Sequence, residues 1–255
     1  MLRGRGKTLY NADAEWDRFR PNWYQRRHYR SVRDDDRRIL THTRDHFAAH
    51  APGEGAVGLD VGPGPNLYPA LAMLPFCSRV DLIEYSSTNV QWLQRRAAGL
   101  EADDGEDWAP FWAVLAENAA YAERGGDQPL RQVADKVVVT PGSVFDLPEA
   151  QWDVGTMFFV ACSISSEVDE FYEAVRCFLH ALRPGAPFAA AFMIGSDGYQ
   201  VDGVEFPAVR VGQTMIEEAI RDMAGDAKVI PIPSGGGDPL RDGVEMALAL
   251  GLRAG

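Results

Sequence analysis

The run Gly58-Leu59-Asp60-Val61-Gly62-Pro63-Gly64-Pro65-Asn66 can do chemistry with its backbone: a short apolar stretch feeds two glycines and then a helix. Glycine permits a tight turn and lets a ligand approach the main chain. The helix start beyond it offers free amide donors. Two ligand classes compete for such a turn. A dinucleotide wants G-x-G-x-x-G, with the third glycine for close helix packing. Here that third position is Leu67. S-adenosylmethionine carries a sulfonium and an ammonium instead of a pyrophosphate, and Asp60, the acid before Gly62, suits a cation. A tight turn without a ligand is the plain alternative.

Asp81-Leu82-Ile83-Glu84 ends a second apolar run. A carboxylate about twenty residues past the glycines suits bonding to two ribose hydroxyls. Both ligand classes have a ribose, so Glu84 points to a nucleoside without choosing between them. A third run leads into Thr140-Pro141-Gly142-Ser143-Val144, where an adenine could pack on Val144. An ordinary proline-bounded loop is the alternative there.

These residues need elements to hold them. Strands are expected at 56–61, 80–83, 136–140, 152–159 and 188–194, each an apolar run between turn signals. Helices are expected at 66–75, 86–98, 109–124, 129–135 and 167–182, with an acidic loop over 100–108. Such βαβα alternation means a parallel sheet covered by helices. Ligands bind at the carboxyl ends of its strands, where Phe159 also falls. The run Tyr199 to Phe206 alternates around Asp202-Gly203, a tight hairpin. A helix over 213–224 and strands over 228–232 and 244–250 then close the sheet with an antiparallel pair. Before the first strand, residues 8–34 are rich in aromatics and arginine and read as short helices. Asp34 reads as the N-cap of a helix ending near Ala49.

The chain has 255 residues, enough for one large domain. Its net charge of −12 argues against a nucleic-acid partner. The arginines between Arg18 and Arg38 sit beside Asp34, Asp35 and Asp36 and read as a solvated helix surface. No apolar run is long enough for a membrane span. No signal core follows the basic start Met1 to Lys7. Three cysteines without metal spacing point to reduced thiols, a cytoplasmic setting and no metal.

Gly62-Pro63-Gly64-Pro65-Asn66-Leu67-Tyr68, followed by Glu84-Tyr85-Ser86-Ser87-Thr88-Asn89, resembles the nicotinamide, phenylethanolamine and indolethylamine N-methyltransferase family. Phe19-Arg20-Pro21-Asn22-Trp23-Tyr24 with His28-Tyr29, Asp107-Trp108-Ala109-Pro110 and Leu182-Arg183-Pro184-Gly185 extend the resemblance over residues 10–250. It implies an α/β, Rossmann-like fold, with a seven-stranded, mostly parallel sheet, helices on both faces and an N-terminal helical lid. Residues 1–50 would be the lid segment and 51–255 the S-adenosylmethionine-dependent methyltransferase domain. By the same resemblance Tyr24, Tyr29, Gly62, Gly64, Tyr68, Glu84, Tyr85 and Asn89 hold S-adenosylmethionine. Ser143-Val144 stands where the family has Asp-Val at the adenine.

Amine-methylating members carry a carboxylate after the fifth strand. This chain has Ala190-Ala191-Phe192-Met193-Ile194, with Asp197 the nearest acid. The expected acceptor is therefore a flat, uncharged small molecule, held by Trp16, Phe19, Tyr24, Phe192, Met193 and Asp197. A ring nitrogen or free amine needs no base at attack, whereas a phenol does. His28 is the candidate base, and the other histidines read as surface groups. An O- or C-methyltransferase, a nicotinamide oxidoreductase and a non-catalytic nucleoside-binding module remain open. A monomer is the expected state.

Overall fold

A computed structural model describes residues 9–99, 104–125, 130–233 and 244–255. The basic start, Met1 to Lys7, lies outside the described residues. Short 3-10 turns at Asn11–Asp13 and Trp16–Arg18 lead into α1 (Pro21–His28) and α2 (Asp34–Ala49). Proline opens α1, where its missing amide is no loss. Three acids fill the first turn of α2, facing the positive end of the helix dipole. Asp34 is inside this helix, not its cap. Arg33 takes the cap position with extended backbone, and no side chain caps the end.

The alternating region follows as β1 (Val57–Val61), α3 (Tyr68–Met73), β2 (Arg79–Glu84), α4 (Ser87–Ala97), α5 (Asp104–Leu115), α6 (Ala119–Gly125), α7 (Arg131–Lys136), β3 (Val137–Pro141), β4 (Val154–Phe158), α8 (Val168–Ala181) and β5 (Pro187–Ile194). The hairpin β6 (Gly198–Val201) and β7 (Val204–Pro207), then α9 (Gln213–Ile220), β8 (Lys228–Ile232) and β9 (Glu245–Leu252), complete it. The main sheet has the order β3-β2-β1-β4-β5-β9-β8. Its first five strands are parallel, and β9 runs antiparallel to both β5 and β8. β1 pairs with β2 on one side and β4 on the other, so the strand order reverses beside it. A doubly wound sheet opens its ligand crevice at that reversal.

The centre of the sheet is dry. β5 is buried from Pro187 to Met193, as a strand covered on both faces must be. α2 and α3 pack on each other, and α2 also meets β5 and β9. α8 delivers Phe171 and Phe178 against Phe192 and Phe188. Each such ring, fully buried, contributes on the order of 1.5–3 kcal/mol.

Several local expectations change. Residues 104–108, expected in a loop, begin α5, and the helix expected over 109–124 is two helices broken near Asn118. The Asn118 side chain accepts from the Ala120 amide at 3.0 Å, a bond that stops one helix and starts the next. Trp152 lies outside β4 and makes only an isolated bridge to Leu182. Phe159 leaves the strand with φ of 62°. His46 is half-buried and bonded to the Gly251 carbonyl at 3.1 Å, and burial lowers its pKa to about 4. Arg20, Arg26, Arg27 and Arg30 are exposed, but Arg33 turns in to clasp Asp35 with two hydrogen bonds. Among the described residues no helix is long and apolar enough to cross a membrane.

Candidate active site

A cavity with about 840 Å³ of empty space, measured out to its open mouth, lies at the strand reversal. The turn after β1, the tips of β2, β3 and β4, and the segment at Ser163 and Ile164 form its floor and walls. Asn11, Trp16, Phe19, Tyr24 and Tyr29 close it from the N-terminal segment, and Tyr199 from β6.

The turn needs both glycines. Gly62 and Gly64 have φ of 58° and 57°, the left-handed region that side chains disfavour. A Cβ on Gly62 would stand 2.8 Å from Val160, whereas one on Gly64 meets nothing closer than 4.0 Å. The Gly62 amide donates to the Ile83 carbonyl at 2.7 Å and ties the turn to β2.

Glu84 organises the crevice. Its Oε2 accepts from the Gly64 amide at 2.9 Å and its Oε1 from the Ser86 amide at 2.8 Å. Burial pushes its pKa up, while the amides of Ser86 and Gly64 and the Asn89 side chain hold it back. The Tyr85 amide joins them, so protein donors already meet the roughly four acceptor positions of this carboxylate. Asn89 Oδ1 is buried without a hydrogen-bond partner among the described residues. At the tip of β4, Phe159 holds a φ rarely taken by a bulky residue, and such outliers gather at ligand sites.

The covering segment is sewn to the first turn of α4. Asp17 accepts from the Ser87 amide at 2.9 Å, and the Ser86 hydroxyl donates to the Trp16 carbonyl at 3.0 Å. Further along, the Trp92 indole donates to Asn22 at 2.7 Å. At its other end, the Asn11 amide donates to Glu170 of α8 at 2.8 Å. Phe206 of β7 stacks between Trp16 at 5.3 Å and Tyr199 at 5.5 Å, so the hairpin and the covering segment share one aromatic column.

Of the residues singled out from the sequence, the cavity brings together Trp16, Phe19, Tyr24, Tyr29, Gly62, Gly64, Glu84, Tyr85, Asn89, Ser143, Val144 and Phe159. The others lie elsewhere. Asp60 is buried below the turn, accepting from the Thr156 hydroxyl at 2.8 Å, and burial raises its pKa to about 8. The Tyr68 hydroxyl points to Asp36. His28 is buried behind the wall, its ring 4.4 Å from that of Tyr24. Phe192 and Met193 sit within β5, fully buried, and Phe192 faces Phe171. Asp197 is on the surface, paired with Arg210 at 2.7 Å. Glu84 is the only charged side chain at the cavity among the described residues.

The sequence reading passed over Asn11, Ser163, Ile164 and Tyr199. Ser163 and Ile164 follow the end of β4, and the strand-tip rule that selected Glu84 and Val144 would have found them. Tyr199 was visible only as a hairpin residue. Asn11 carries no local signal, because a contact with α8 places it.

A family model described as the NNMT/PNMT/TEMT family matches residues 7–234. Human nicotinamide N-methyltransferase is 22% identical over 226 residues, covering 83% of this chain and 84% of the relative. Indolethylamine N-methyltransferase of Oryctolagus cuniculus is 23% identical over 185 residues, covering 68% and 67%. Among solved structures, the N-methyltransferase NodS from Bradyrhizobium japonicum aligns with a TM-score of 0.52 at 12% identity, over 87% of this chain and 97% of that one, a likeness of fold.

Proposed function

Since the chain belongs to the NNMT/PNMT/TEMT family and is an S-adenosylmethionine-dependent methyltransferase of small molecules, we propose that its acceptor is a flat, uncharged heteroaromatic molecule methylated at a ring nitrogen. The carrying observation is that no charged side chain besides Glu84 lines the cavity among the described residues.

Bound S-adenosylmethionine supplies a methyl group already activated by a sulfonium. The cavity fits such a ligand: the side of Gly64 where a Cβ would stand is open, and Asn89 Oδ1 still lacks a donor. Glu84, the one charged group at the cavity among the described residues, would take the ribose hydroxyls. Val144 and Ile83 would sandwich the adenine, with Ser143 as a polar neighbour. Gly64, Tyr24, Tyr29 and Tyr85 would close on the remainder. Asp60 and Tyr68 would support this wall from behind.

The acceptor then meets Trp16, Phe19, Tyr199, Phe159 and Ile164. An alkylammonium would be desolvated there without an anionic partner, at a cost of several kcal/mol. Its lone pair would also be protonated. A phenol needs a base, and His28 does not reach the cavity lining. A neutral ring nitrogen needs neither. The protein's task is alignment and exclusion of water, which can supply up to roughly 7–11 kcal/mol of barrier lowering. Three free thiols support a reducing, cytoplasmic setting.

The test is turnover with a labelled methyl donor against matched acceptors: a pyridine-type heterocycle, a phenol and a primary alkylamine. The heterocycle is expected to lead by at least an order of magnitude, since one uncompensated charge is worth that much. A lead for the alkylamine or the phenol overturns the proposal.

A further inference from the structure

Asp36 lies in the first turn of α2 and is buried. Its Oδ1 accepts the Tyr68 hydroxyl at 3.1 Å, while Oδ2 has no hydrogen-bond partner among the described residues. Tyr68 opens α3 directly after the glycine turn. Its ring stacks on Phe111 of α5 at 5.3 Å and meets Tyr29 at 5.9 Å and Phe158 at 5.7 Å. Tyr29 and Phe158 both line the cavity. Arg33 closes the other side: it holds both oxygens of Asp35 at 3.1 and 3.0 Å and comes within 3.8 Å of Asp36. One carboxyl group outside the cavity thus joins the end of the covering segment to the wall on which it closes.

We propose that Asp36 is a positioning residue for the cofactor: it fixes the Tyr68 hydroxyl and, through the Tyr68 ring, the seat of Tyr29 over the cavity. A buried hydroxyl deprived of its acceptor is costly. Without Asp36 the Tyr68 ring must shift or leave its hydroxyl unsatisfied, and Tyr29 loses the edge it rests on. The inference rests on the cofactor reading of this cavity.

The same geometry makes the seat respond to pH. Asp36 faces Asp35 on its own helix, Arg33 at its cap and Tyr68 on α3, with Tyr29 against the Tyr68 ring. α5 brings the rings of Trp108 and Phe111 against Tyr29. Burial and then Asp35 push the Asp36 carboxyl up to about 7, against the pull of Arg33 and the Tyr68 bond. The ionised form accepts the Tyr68 hydroxyl more strongly and draws Arg33 closer. Closure therefore tightens as pH rises through 7.

Calorimetry with S-adenosylhomocysteine on the full chain tests this. Asp36→Ala and Tyr68→Phe should each weaken binding about tenfold, the value of one typical hydrogen bond. The double variant should be no weaker than either single one, because both remove the same link. Asp36→Asn keeps an acceptor oxygen, so it should bind within about twofold of the wild type at pH 6. It should lack the wild type's tightening between pH 6 and pH 8. Wild-type affinity in Asp36→Ala and Tyr68→Phe, multiplying effects in the double variant, or an unchanged pH profile in Asp36→Asn would each overturn the inference. If Asp36→Ala does not fold, Tyr68→Phe and the Asp36→Asn pH profile decide. A wild-type chain that does not bind S-adenosylhomocysteine overturns the cofactor reading and this inference with it. Binding by the wild type with unmoved variants overturns this inference alone.

Discussion

Glu84 has two duties, and substitutions can separate them. It holds the amides of Gly64 and Ser86, and in the proposed function it also takes the ribose hydroxyls. Glu84→Ala removes both, and affinity for S-adenosylhomocysteine should fall by a few kcal/mol, as charged hydrogen bonds contribute about 1.5–3 kcal/mol each. Glu84→Gln keeps one oxygen for the turn and should lose less. Equal losses in titration calorimetry would mean that the ribose contacts, not the turn, account for the effect. Glu84 was legible in the sequence because an acid ending an apolar run can be placed at a strand tip without knowing the fold. Phe192 was not legible in that way. Its place in the chain matches that of the relatives' acid, but its direction is set by α8, whose Phe171 takes it into the core.

At the scale of the element, the turn after β1 distinguishes its two glycines. Gly64→Ala meets only the backbone cost of a left-handed residue, roughly 1–2 kcal/mol. Gly62→Ala meets the same cost and also drives a methyl group into Val160 at 2.8 Å. Thermal melts should therefore show Gly62→Ala as the more destabilised of the two. Equal melting temperatures would show that Val160 moves aside freely. The strands around this turn were readable because each is a short apolar run ending in a turn. Helices were harder. α5 begins inside the stretch read as an acidic loop, although acids are what a first helical turn favours. The break before α6 depends on one asparagine bond that no periodicity reports.

For the whole molecule, buried acids set how stability follows pH. The Asp36 and Asp60 carboxyls are raised to about 7 and about 8, so the folded chain keeps protons that the unfolded chain releases. Their contribution is full below the unfolded carboxylate range and is lost as pH rises towards 8. His46, lowered to about 4, acts the other way, adding stability as pH rises from about 4 to 6.5. The two trends oppose each other below 6.5. Above it the two acids act alone. Between pH 6.5 and 8 the ligand-free protein should lose roughly 2 kcal/mol, or about 4–8 °C in melting temperature. Asp60→Asn should flatten that slope. A melting temperature that rises over this range would show that these carboxyls are already ionised in the fold.

The seam between the covering segment and α4 has a consequence for timing. Asp17 and Trp16 are fastened to the turn that follows Glu84, and Asn22 to Trp92 of α4, so the cover cannot swing away while the floor stays still. A reactive methyl donor is thereby shielded from stray water until an acceptor arrives. The spent donor would be shielded as well, and the same seam would slow its release. Containment and slow departure would then be one property of this architecture.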